Sequence, residues 1–137
     1  MDFTVYLPDD IGKRAKEAQD LNLSRLLRDA VTRELERREA MKTTLETPTT
    51  HEVYVEDRDG RGYTGRITGR SIAATEDHEE IEVFLTTDER VIVYYGKKNE
   101  YHVLDNPAEE LREWLSDAPA AYFDAMTALG EEPVMDL

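Results

Sequence analysis

At Pro8 the hydrophobic period of this chain changes from two to about 3.6, and that single switch constrains the fold more than any other feature. Before it, Phe3, Val5 and Leu7 alternate with Asp2, Thr4 and Tyr6, the pattern of a strand with one buried and one exposed face. After it, two apolar stripes run at helical spacing: Ile11, Ala15 and Ala18, then Leu23, Leu26, Leu27, Ala30, Val31 and Leu35. A strand and two helices in about forty residues cannot cover their own apolar surface. The pattern therefore predicts dimerisation. Antiparallel pairing of two such strands would bury Phe3, Val5 and Leu7 of both chains against a dimer core that includes Leu27, Val31 and Leu35, leaving Asp2, Thr4 and Tyr6 outward.

Pro8 suits the first turn of a helix, where its missing N–H costs nothing, and Asp9 and Asp10 lie where the helix dipole favours acids. This helix carries Lys13, Arg14 and Lys16 and runs to about Asp20. Leu21-Asn22-Leu23 reads as a turn. Ser24 is the expected N-cap of a second helix from Arg25 to about Met41, with Arg25, Arg28, Arg33, Arg37 and Arg38 interleaved with glutamates.

Charge divides the chain. Residues 1–46 hold nine Lys or Arg against ten Asp or Glu, a balance of −1, while residues 47–137 hold eight against 21, a balance of −13. Two readings compete: adaptation to high intracellular salt, which the even spread of the acids favours, or repulsion tied to function. In about 1 M salt the Debye length is about 3 Å, so this charge would hardly oppose binding to an anionic polymer. The chain has no cysteine. It also lacks an apolar run of membrane-spanning length or a signal-peptide pattern, so a cytoplasmic protein without a membrane role is expected.

The run F-T-V-Y-L-P-D-D-I followed by L-N-L-S-R-L-L-R-D-A-V resembles the ribbon-helix-helix proteins of the MetJ, Arc and CopG type, over about 40 of the 137 residues. The resemblance implies a homodimer, with dimers of dimers as a further arrangement, whose two-stranded ribbon enters the major groove of double-stranded DNA. Carried over by position, Asp2, Thr4 and Tyr6 face the bases. The helix start at Ser24 and Arg25, with Arg28 and Lys13, would hold phosphates. The ribbon departs from the usual basic or amide residues: Thr4 suits a thymine methyl or an acceptor and Tyr6 a base or phosphate, whereas Asp2 would be repelled by phosphate unless the Met1 amine offsets it or it accepts from a cytosine amino group.

Residues 42–50, K-T-T-L-E-T-P-T-T, lose the helical stripe, and a linker over 47–50 is expected between a 1–46 unit and an acidic 51–137 unit. From His51 the period returns to two: Val53 and Val55, a D-R-D-G-R-G turn, a glycine-loosened strand with Tyr63, Ile67 and Ile72, then Ile81, Val83 and Leu85, then R-V-I-V-Y-Y and E-Y-H-V-L. Asp105-Asn106-Pro107 and Pro119 open two helices, the second stopped by Gly130. The expected fold class is α+β: an N-terminal ribbon-helix-helix in a swapped dimer, then a small antiparallel β-meander with two C-terminal helices on one side. This order is similar to EXLDI-type proteins, and the acidity to their haloarchaeal relatives, among them the long member of a cell-division regulator pair.

No enzymatic activity, cofactor or metal is expected. His51, His78 and His102 have no ligand spacing, and Gly60, Gly62, Gly65 and Gly69 lack the helix and lysine of a phosphate loop. Tyr94, Tyr95, Tyr101 and Trp114 read as core or dimer interface. The expected function is a dimeric DNA-binding transcriptional regulator, autoregulatory or acting on cell-division genes, whose second unit self-associates or binds an unidentified protein or effector. The alternatives are an antitoxin and an oligomerisation module without DNA binding.

Overall fold

The computed structural model describes residues 22–76 and 80–136. In order it has α1 (Leu23–Thr44), β1 (Thr49–Glu56), β2 (Gly62–Ala74), β3 (Ile81–Thr86), β4 (Val91–Tyr95), a 3-10 turn (Gly96–Lys98), β5 (Glu100–Val103), α2 (Pro107–Trp114) and α3 (Pro119–Leu129). Two compact units meet at residues 35 and 36, the second running to Leu137.

This architecture corrects the expected fold class. The described chain opens on a long helix, followed by a five-stranded antiparallel sheet that curls on itself and by two short helices. An N-terminal ribbon-helix-helix followed by a small meander does not describe it. Two physical causes lie within the second unit. First, α1 runs on to Thr44 because E-R-R-E-A-M-K are good helix formers and Met41, at 5% exposure, anchors them in the core. The end of α1 packs on α3: the Thr44 hydroxyl donates to the Ala128 carbonyl at 2.9 Å. Three helical segments therefore cover the sheet, rather than two.

The second cause is that the sheet buries a smaller cluster on its other face as well. The strands lie in sequence order, all neighbours antiparallel. On one face Ile81, Val83, Leu85, Val91 and Val93 pack with Leu111, Leu115, Tyr122 and Met126 of the helices. On the other, Ile67, Phe84 and Ile92 form a second cluster with Val53 and Tyr94. That second core requires curvature. The long β2 supplies it with a register shift between Ser71 and Ala73 and with Gly69, where a Cβ would stand 1.9 Å from the Leu85 carbonyl oxygen. The curl brings β1 to β5, with the Glu56 N–H donating to the Asn99 carbonyl at 2.8 Å. The Tyr94 hydroxyl donates to the Tyr54 carbonyl at 2.5 Å, occupying an acceptor on the open edge of β1.

Side chains close the turns. Asp57 accepts from the amides of Asp59 and Arg61, both at 2.9 Å, around Gly60 at φ 78°. The Thr86 hydroxyl and Arg90 hold the Asp88 carboxyl below its ordinary range. Pro107 and Pro119 each occupy a first helical turn, and Glu110 accepts from the Asn106 amide at 2.7 Å.

Gly130 ends α3 at φ 68°, and a Cβ there would lie 2.7 Å from Arg37 Cα on α1. Gly130→Ala therefore combines backbone strain with overpacking, and is expected to cost about 2 kcal/mol in urea unfolding.

Candidate dimer and nucleic-acid interface

In the first unit the described residues are one helical segment. Its N-cap is Asn22, whose side-chain oxygen accepts from the Arg25 amide at 2.9 Å, while the Asn22 carbonyl accepts from the Leu26 amide. Ser24 was the expected cap; it lies inside the helix, which begins at Leu23. Asn22 wins because it stands three residues before Arg25, the spacing at which an N-cap side chain reaches an otherwise unpaired N–H. The helix start thus keeps the positive end of its dipole, with Arg25 and Arg28 on its first two turns.

The apolar stripe is exposed in the single chain. Leu23, Leu26, Leu27, Val31 and Leu35 show 47, 49, 38, 48 and 61% of their surface to solvent. Leu23, Leu27, Val31 and Leu35 recur every four residues, on one side of the helix. These half-exposed leucines and valine form a contiguous apolar row on a structured helix. Covering the remainder of five such side chains would stabilise by roughly 4–7 kcal/mol per chain.

Of the other expected site residues, Asp2, Phe3, Thr4, Val5, Tyr6, Leu7 and Lys13 lie outside the described residues. Ser24, Arg25, Leu27, Arg28, Val31 and Leu35 all lie on α1. The described structure brings no ribbon residue to the helix start.

The second unit carries three cavities of note. One of about 600 Å³ lies between α2, α3 and the C-terminal segment and is lined by Glu109, Arg112, Glu113 and Tyr122. The Tyr122 hydroxyl accepts from the Val134 amide at 3.0 Å there, and Arg112 pairs with Asp136 at 2.6 Å. A second, also about 600 Å³, has Arg37, Arg38 and Lys42 along its wall. This cationic stretch of α1 was not singled out as a site by sequence, because glutamates interleave it. The third, about 370 Å³, is lined by Arg66 and Arg90, which pair with Glu52 and Asp88.

The expected aromatic cluster divides. Tyr95, His102 and Trp114 stack on the helix side, with Trp114 centroid distances of 6.0 Å to Tyr95 and 5.1 Å to His102. Tyr94 and Tyr101 are paired across β4 and β5 on the other face. His51 lies against Phe84 at 5.0 Å, and His78 lies outside the described residues. Among the described residues no three metal-ligating side chains converge, and no helix is long and apolar enough to cross a membrane.

No family model, no curated protein and no solved structure matches this chain.

Proposed function

We propose that this chain is a dimeric DNA-binding regulator of transcription, working in the cytoplasm without a cofactor. The observation that carries the dimer is the exposed Leu23, Leu26, Leu27, Val31 and Leu35 stripe. The charge division supports the DNA role. Residues 1–35 hold six Lys or Arg against seven Asp or Glu, near neutrality, while residues 36–137 hold eleven against 24. A near-neutral unit can approach phosphate where the acidic one is repelled, and high salt shortens the range of that repulsion. The resemblance of residues 2–35 to ribbon-helix-helix proteins points the same way.

In this reading Thr4 and Tyr6 touch bases, and the start of α1 with Arg25 and Arg28 holds phosphate. The second unit, a sheet with a large core on one face and a smaller one on the other, is built as a folded body. That favours a self-association or effector role over the disordered tail of an antitoxin.

Gel retardation on the DNA upstream of the chain's own gene, in high KCl, tests the assignment. Wild type retards the fragment, and Thr4→Ala with Tyr6→Ala weakens binding by at least about tenfold, as expected for two lost base contacts at roughly 1–3 kcal/mol each. Equal retardation by both proteins would remove these side chains from readout.

A further inference from the structure

Along the outer edge of β5, backbone groups are left without a strand partner among the described residues. Antiparallel strands alternate between pairs that exchange hydrogen bonds and pairs that do not. Leu104 N–H donates to the Val91 carbonyl, so its alternates His102 and Glu100 bond β4 opposite Val93 and Tyr95. Tyr101 and Val103 then turn their N–H and C=O groups away from β4. The carbonyl of Asn99, in the same phase, meets Glu56, which fixes that direction independently. Among the described residues no backbone group answers Tyr101 or Val103. Their side chains are 46 and 41% exposed, on the face that Tyr94 and Ile92 occupy in β4.

We infer that β5 pairs with β5 of a second copy about a two-fold axis at His102, joining two sheets edge to edge. The edge is self-complementary in that register. Tyr101 falls opposite Val103 of the second copy and Val103 opposite its Tyr101, so four outward N–H groups meet four outward carbonyls. Each aromatic side chain also meets a β-branched one, a favourable cross-strand pair. Charge agrees. Tyr101, His102 and Val103 carry no carboxylate in a unit with 24 acids. The acid inside the pairing does not meet its own copy: Glu100 falls opposite Leu104 of the second copy, and the ladder stops there because the Asn99 carbonyl already accepts from the Glu56 N–H. The edge also lacks what keeps edge strands apart, since β5 has no proline, lysine or bulge. If the α1 stripe makes a dimer, β5 pairing joins dimers into a tetramer; the β5 interface itself does not require that reading.

Sedimentation velocity on the full chain, over a concentration series in high KCl, tests this. Val103→Pro removes one outward donor without touching the β4 ladder, because the Val103 N–H faces away from it. Tyr101→Glu with Val103→Glu places like charges across the axis while leaving the backbone alone. Both variants are expected to keep the wild-type circular dichroism and to halve the largest assembly. Leu27→Glu with Val31→Glu removes the other interface, and the combination with Val103→Pro gives monomer. If both β5 variants fold and retain the wild-type assembly at every concentration, the β5 proposal is overturned. If only the stripe variant leaves the assembly unchanged, the α1 dimer is overturned and β5 pairing stands.

Discussion

Replacing Phe84 by alanine is expected to lower the unfolding free energy by about 3–5 kcal/mol. The ring is 1% exposed, at the centre of the Ile67, Phe84 and Ile92 cluster, with the His51 ring 5.0 Å away. It is the largest side chain of the smaller core. The sheet curls around this cluster, so truncation leaves a void that the surrounding strands fill only in part. Urea unfolding of Phe84→Ala against Phe84→Leu reads the effect. A loss below about 1 kcal/mol for alanine would mean that this face is no core, because even small core truncations reach that size.

The same residue shows what the sequence made legible. Period-two alternation placed Val53, Val55, Ile81, Val83 and Leu85 on strands, and proline with glycine marked the limits of α2 and α3. The expectation of helices on one side says nothing of a core on the other, although the strands carry a signal for it. I-E-V-F-L and V-I-V-Y-Y are nearly unbroken apolar runs, the mark of strands covered on both faces. The extension of α1 to Thr44 was harder to see, because residues 36–44 offer only Ala40 and Met41 as apolar anchors and the threonines resemble a linker. Serine and asparagine are equally good N-caps, so sequence alone does not separate Ser24 from Asn22; the geometry selects the asparagine. The cationic wall of Arg37, Arg38 and Lys42 becomes visible only when the helix is folded beside Leu45 and Glu89.

Leu27→Glu with Val31→Glu is expected to have the second large effect. The two side chains lie one turn apart in the stripe and are 38 and 48% exposed, so the monomeric helix can carry glutamate at both positions with little loss. Across a two-fold interface the same change brings four carboxylates into an apolar contact, each with a desolvation cost of several kcal/mol. Association through α1 should be abolished while the melting of the second unit, whose core lies within residues 36–137, is unchanged. Sedimentation and a thermal scan separate the two readouts. Loss of the second unit's transition would instead make the stripe part of the fold.

If dimers joined by this stripe bind duplex DNA, one titration shows it. Fluorescence anisotropy of a labelled upstream duplex, measured against wild type and against Leu27→Glu with Val31→Glu over a range of KCl, gives affinity as a function of salt. The logarithm of wild-type affinity is expected to fall linearly with the logarithm of salt, with a slope of about −0.9 for each phosphate contacted, and the variant is expected not to bind. Wild-type dimers with no affinity for the duplex at any KCl concentration, or equal binding by the variant, would contradict it.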